Sequence, residues 1–305
     1  MNDLLTIKEW TDIEILSLLD LADKIKSNPN QYTSELRNRT LAMLFQKTST
    51  RTRISFESGI YQLGGNAIYL DWRTTNLHLG ELKDEIKCMD KCVDLILARV
   101  HEHKTLEIIR DASSVPVING LSNLYHPCQI LSDLMSIREK FGSFSDIEVV
   151  WVGDGNNVCH SLIIGCIKLD IPISVATPSK YRPHEDIINW VKKEGKDKSL
   201  KLYEDPREAV VNANIVYTDT FVSIGQESET EERLKIFKPY QINSELLSYI
   251  KEKEYYIMHC LPAHRGVEIT DEVFDSKESI VFLQAENRLH LQKALMVKLL
   301  EKSQN

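Results

Sequence analysis

Short apolar runs alternate along the chain with longer stretches in which apolar positions recur every three or four residues. The runs suit buried parallel strands, and the spaced stretches suit the helices that cross between them. In the first half the runs predict strands at 41–45, 67–70, 95–100 and 115–118. In the second half they predict strands at 148–152, 173–176, 200–203, 215–218, 256–260 and 280–282. Between the two sets, Ile130, Leu131, Leu134 and Ile137 mark a helix over 128–141 that stops at Gly142, and this helix is the expected domain boundary. A last helical stretch, 289–300, would cross back to the first half. The pattern predicts an α/β protein of two domains, each a mainly parallel sheet flanked by helices, joined by interdomain helices. The first domain would take residues 1–140 with a returning helix at 286–305, and the second would take 141–285.

A length of 305 residues agrees with two domains. With 42% hydrophobic and 27% charged residues, the chain has the composition of an ordinary globular protein. No apolar run reaches membrane-spanning length, and the first ten residues carry Asp3, Lys8 and Glu9 where a signal segment would be hydrophobic, so a cytoplasmic protein is expected. A formal charge of −8 argues against a broad nucleic-acid or membrane surface, so any anionic ligand must be caught by a local site. The six cysteines lack paired metal-ligand spacing: Cys88 and Cys92 sit one helical turn apart and Cys128, Cys159, Cys166 and Cys260 are scattered. They are expected to be buried free thiols, with neither a structural metal nor a disulfide framework.

In parallel sheets ligands gather at the carboxyl ends of strands, so the loops there carry the chemistry. After the strand at 41–45 comes Lys47-Thr48-Ser49-Thr50-Arg51-Thr52-Arg53, then Ile54, Phe56 and Ile60 at helical spacing. Free N–H groups at a helix start, the hydroxyls of Ser49, Thr50 and Thr52, and the fork of Arg51 would suit a phosphate. The plainer alternative is a helix cap with solvated arginines, since no Walker glycines are present. A second loop, Leu124-Tyr125-His126-Pro127-Cys128-Gln129, places His126 and Gln129 at a helix start. Arg99 closes an otherwise apolar strand, a poor structural choice unless an anion meets it.

In the second half Gly153-Asp154-Gly155-Asn156-Asn157 follows a strand, which invites a dinucleotide-binding reading. That reading is weak: Val158 stands where the third glycine belongs, and Glu204 and Asp205 are too distant to be the ribose-binding acid. Further strands deliver Asp219, with Ser223 and Ile224 soon after, and His259-Cys260-Leu261-Pro262. Read alone, Asp219 could equally close its strand as an Asx turn, and Cys260 could be another buried thiol.

Five separated motifs, STRTR at 49–53, HPCQ at 126–129, VGDGNNV at 152–158, HCLP at 259–262 and ENR at 286–288, occur in the order seen in ornithine carbamoyltransferases, and the resemblance spans essentially the whole chain. It implies a carbamoyl-phosphate-binding first domain, using Ser49, Thr50, Arg51, Thr52, Arg99, His126, Gln129 and Arg288, and an ornithine-binding second domain, using Asn157, Asp219, Ser223, Ile224, Cys260 and Leu261. Arg51, Arg99, His126, Asp219 and Cys260 would serve catalysis, in a reaction needing no cofactor and no metal. The family is trimeric with a neighbour's loop at each active site, and His78 resembles that loop's ligand. Two stretches depart from the family pattern: 81–87 is not the usual acidic run, and Phe221 and Ile224 replace the Trp and Met of DTWxSMG. Aspartate carbamoyltransferases carry HPLPR where this chain has HCLP, so the missing arginine favours a cationic side chain over a second carboxylate. The competing readings are a carbamoyltransferase for putrescine or an acylated ornithine, an NAD-binding dehydrogenase, and a non-catalytic relative.

Overall fold

The first sheet is built around β1 (Thr40–Phe45), whose last five residues are all buried. A strand covered on both faces needs no polar alternation, which is why it reads as one apolar run. The computed structural model describes residues 3–222, 227–251 and 253–302. Strands β2 (Asn66–Asp71), β3 (Leu95–Arg99) and β4 (Val117–Leu121) join β1 in the order β2-β1-β3-β4, every pairing parallel. The second sheet comprises β5 (Val149–Val152), β6 (Ile173–Ala176), β7 (Leu200–Tyr203), β8 (Ile215–Thr218) and β9 (Tyr256–His259), in the all-parallel order β7-β6-β5-β8-β9.

Helices α1 (Asp12–Ser27), α2 (Thr50–Gln62), α3 (Leu82–Met89) and α4 (His103–Ala112) belong to the first half, and α5 (Pro127–Phe141) follows β4. The second half carries α6 (Asn157–Lys168), α7 (Glu185–Lys193), α8 (Pro206–Ala209), α9 (Thr230–Phe237), α10 (Ser244–Leu247) and α11 (Asp271–Phe274), and the chain closes with α12 (Val281–Lys302). It divides into two compact units, residues 1–135 with 286–305 and residues 136–285, so the chain changes unit within α5 and again within α12.

Each sheet has a point where the strand order reverses. In the first, β1 is followed by β2 on one side and β3 on the other; in the second, β5 is followed through β6 and β7 on one side and β8 and β9 on the other. In open parallel sheets ligands bind at such reversal points, here at the loops after β1 and β3 and those after β5 and β8. Gln46 ties the first pair together: its N–H donates to Arg99 O at 2.8 Å, and its side-chain oxygen accepts from His101 N at 2.8 Å.

Several sequence expectations are corrected. The run at 280–282 is not a strand: Ile280 N donates to Ile257 O at 3.0 Å in a single bridge, and Val281 opens the long helix α12. Three apolar residues are too few to distinguish a strand from a helix start by periodicity. The strand placed at 115–118 begins only at Val117, because Pro116 has no N–H to give the ladder. Cys128, Cys159 and Cys166 are buried and Cys260 is partly buried, but Cys88, near the end of the short helix α3, and Cys92, in the turn after it, are exposed. No helix among the described residues is long and apolar enough to cross a membrane.

Candidate active site

The N-terminus of α2 faces the reversal point of the first sheet. Ser49 caps it, its hydroxyl accepting from Thr52 N at 3.4 Å, and Thr52 is fully buried one turn in. Arg288, carried by α12 and 3% exposed, donates from Nη2 to Thr52 Oγ1 at 3.0 Å and from Nη1 to Gln129 Oε1 at 3.1 Å. Gln129 is itself held, donating through Nε2 to Asp133 Oδ1 at 2.9 Å. With its amide oxygen turned to the guanidinium, Gln292 accepts from Arg288 Nη2 and Nε at 3.2 and 3.3 Å. Asp133 and Gln292 are absent from the sequence reading; each lies one helical turn beyond a predicted ligand, and that i, i+4 spacing was the available signal.

His126 stands at the start of α5, 5% exposed. Burial first, and then the positive charges of Arg288, Arg99 and Arg51 in that order, push its pKa well below the ordinary histidine value. The ring is therefore neutral at physiological pH and offers a hydrogen bond instead of a charge. Arg99 is buried at the end of β3, Arg51 is half-buried in the first turn of α2, and Thr50 is exposed beside it. A neutral imidazole among cationic forks at a helix N-terminus is suited to an anion that also carries a carbonyl. His78 stands apart: it is exposed in a short 3-10 turn, Asn76–His78, and among the described residues makes no hydrogen bond to Arg51, Arg99, His126 or Arg288 of its own chain.

The reversal point of the second sheet gathers Asp219, Asn156 and Cys260. Asp219 follows β8 and is 8% exposed; its Oδ2 accepts from Asn156 Nδ2 at 2.9 Å and its Oδ1 from the Cys260 thiol at 2.9 Å. Asn156, which the sequence reading passed over for Asn157, also caps α6, its Oδ1 accepting from Val158 N and Cys159 N at 3.0 and 3.1 Å. Asn157 is the first residue of α6 and half-buried. Leu261 takes a positive φ of 59° before a cis bond to Pro262, and its N–H donates to His259 Nδ1 at 2.9 Å. The other ring nitrogen of His259 lies 3.1 Å from Glu268 Oε1, both side chains being fully buried, so the HCLP turn rests on an oriented imidazole. Ser223 and Ile224 lie outside the described residues.

Asp219, His259 and Cys260 bring one potential ligand atom each within 4.8 Å of one another. Both nitrogens of His259 are already engaged, so the trio forms a hydrogen-bonded frame and does not present three open metal ligands. The glycines of GDGNN likewise serve the chain itself. A Cβ on Gly155 would strike backbone atoms of Tyr181, Arg182 and Pro183, and Gly155 N donates to Tyr181 O at 2.9 Å. This close approach accounts for the glycine without a dinucleotide. Phe221, where the family pattern has Trp, is 1% exposed and stacks on Phe237 with ring centres 5.0 Å apart. It belongs to the core beneath Gly153.

An anion grip at one reversal point and a carboxylate–thiol pair at another define a class of protein: a two-unit α/β enzyme acting on small polar substrates. Residues 2–139 match the family model described as the carbamoyl-P binding domain of aspartate/ornithine carbamoyltransferase, and residues 145–299 match that of its Asp/Orn binding domain. The chain belongs to the aspartate/ornithine carbamoyltransferase family. It is 47% identical to an ornithine carbamoyltransferase of Archaeoglobus fulgidus over 99% of this chain and 98% of that one. It is 45% identical to that of Bacillus subtilis over 100% and 95%. Among solved structures, the ornithine carbamoyltransferase of Pyrococcus furiosus superposes with a TM-score of 0.92 at 47% identity, covering 97% of this chain and 96% of that chain. The anabolic enzyme of Campylobacter jejuni gives 0.92 at 37% identity, covering 99% and 100%.

Proposed function

We propose that this enzyme transfers the carbamoyl group of carbamoyl phosphate to the δ-amine of L-ornithine, giving L-citrulline and phosphate. The observation that carries the reading is the neutral His126 set among Arg51, Arg99 and Arg288, with Thr52 and Gln129 fixed by Arg288. Residues 1–140 with 286–305 hold the donor and residues 141–285 the amine. Ser49, Thr50, Arg51, Gln129 and Arg288 bind the phosphate end, while Thr52, Arg99 and His126 donate to the carbonyl oxygen.

The neutral amine attacks the carbonyl carbon, forming the C–N bond and placing charge on the carbonyl oxygen. Collapse breaks the C–O bond to phosphate, which leaves with the electron pair and takes the proton that the amine nitrogen gives up. Removing one donor to such an oxyanion typically costs about 3–4 kcal/mol. No covalent enzyme intermediate and no cofactor enter the scheme. Asn157, Asp219 and Ser223 take the amino-acid end of ornithine, Ile224 supplies apolar contact, and Cys260 with the Leu261 backbone orients the δ-amine beside the Asp219 carboxylate, which also helps to orient it.

The enzyme works as a cytoplasmic homotrimer in arginine metabolism, with His78 reaching a neighbour's site; its exposure in its own chain supports that role. The test offers ornithine, putrescine, N-acetylornithine and aspartate separately with carbamoyl phosphate, using Arg51→Ala as the blank. Product from ornithine alone, lost in the variant, is expected. Turnover of a different amine would leave the donor site standing and remove ornithine as the acceptor.

A further inference from the structure

Arg233 lies on α9 outside every motif of the site, yet it is 2% exposed. Its guanidinium grips both loops at the reversal point of the second sheet. Nη2 donates to the Asp154 carboxylate in the loop after β5, and Nε donates to Phe221 O in the loop after β8 at 2.7 Å. Nη1 lies 3.7 Å from Glu229, and the plane sits over the rings of Tyr181 and Phe237, 4.6 and 5.2 Å from their centres. Burying an arginine this deeply needs a reason beyond packing, since hydrophobic residues of similar volume often do as well or better.

The reason lies in what the two loops carry. Asp154 O accepts from Asn156 N at 2.8 Å and from Trp151 Nε1 at 2.9 Å, so fixing Asp154 fixes the turn that presents Asn156. Asn156 then holds Asp219, and Asp219 holds the Cys260 thiol, each at 2.9 Å. From the other side, Phe221 is only two residues past Asp219. We propose that Arg233 is a positioning residue for the amine substrate, a planar staple that fixes the Asn156–Asp219–Cys260 line from both ends. A lysine could keep the charge but not the fork that reaches two loops at once. The proposal rests on the ornithine reading of this site for its kinetic readout alone.

The test compares the parent enzyme with Arg233→Lys and with the double variant Asp154→Asn/Arg233→Met, which removes both buried charges together. The measurements are thermal midpoint, KM for ornithine and for carbamoyl phosphate, and the alkylation rate of Cys260 by iodoacetamide, resolved by peptide mass. In both variants ornithine KM is expected to rise about ten- to a hundredfold with carbamoyl phosphate KM unchanged, the scale set by misplacement of a reacting group. Cys260 alkylation should accelerate as the thiol loses the carboxylate that holds it. The double variant should regain the thermal midpoint that the single one loses, but neither the KM nor the slow alkylation.

A double variant with parental midpoint, parental KM and parental alkylation would overturn the proposal and leave a structural ion pair. Parallel loss of carbamoyl phosphate KM would overturn it too, as would failure of both variants to fold. If the parent does not use ornithine, the functional reading fails by itself, and Cys260 alkylation still decides for or against the staple.

Discussion

Arg288 and Thr52 are 236 positions apart in the chain, and the guanidinium of one donates to the hydroxyl of the other at 3.0 Å. The same fork reaches Gln129, so a single side chain orients one residue from the start of each of two helices. Such a fork cannot be replaced by a point charge. Arg288→Lys is expected to raise KM for carbamoyl phosphate and lower kcat, a combined loss of about 3 kcal/mol in kcat/KM, or roughly a hundredfold. Steady-state kinetics with carbamoyl phosphate varied will check this; an unchanged kcat/KM would remove Arg288 from the donor site.

The depressed pKa of His126 carries a signed consequence for stability. In the unfolded chain this histidine takes a proton near its ordinary value of 6.5, whereas in the fold it does not. The unfolded state therefore binds more protons below that pH, and stability falls as pH drops, by up to about 1.4 kcal/mol per pH unit for this one group. His103 and His290 are shifted in the same direction, mainly by burial, and add to the slope. His126→Asn should flatten the decline of the thermal midpoint between about pH 7 and pH 5 without abolishing it. A variant as pH-sensitive as the parent would mean that His126 is protonated in the fold.

Gly155 tests whether the GDGNN loop serves the protein or a cofactor. An added methyl group meets the Tyr181–Pro183 backbone, which cannot yield as a flexible side chain would. Gly155→Ala is expected to destabilise the protein by about 3 kcal/mol or more, an overpacking cost at the high end of point substitutions. Gly80, with only the tip of Glu85 near its missing Cβ, should accept alanine within about 0.5 kcal/mol. Urea unfolding of both variants measures the contrast, and equal stabilities would show that the Tyr181–Pro183 loop moves aside.

Most strands were legible because both faces of each central strand are covered, leaving apolar runs such as 149–152 and 215–218 with no alternation to confuse them. The candidate loops were legible for the same reason: Arg51, Arg99, His126 and Asp219 all stand at strand ends or at the start of the next helix. The sequence did not disclose the residues that hold these groups still. Asn156, Asp133, Gln292 and Arg233 touch their targets through the fold, at separations from four residues to 79: Asn156 stands beside Asn157 in one motif with nothing in one dimension to choose between them, Asp133 and Gln292 offer only an i, i+4 spacing, and Arg233 sits in no motif. Glu268 beneath His259 is the same kind of case, a buried carboxylate that in one dimension reads as a surface acid.

The thiol of Cys260 donates to Asp219, so the carboxylate next to the proposed δ-amine position is already satisfied on one oxygen by the thiol and on the other by Asn156. With each oxygen already accepting a hydrogen bond, the carboxylate is placed here to orient an amine and not to take its proton. The amine must therefore arrive neutral, and with an intrinsic pKa of about 10.4 the neutral fraction rises tenfold per pH unit across neutrality. At subsaturating ornithine, kcat/KM should climb with a slope near one from about pH 7 to pH 9, while KM for carbamoyl phosphate changes little. Asp219→Asn should keep the slope and lower the whole line, since it removes orientation and not proton transfer. If the slope itself vanished in Asp219→Asn, the carboxylate would be the proton acceptor and the amine would bind charged.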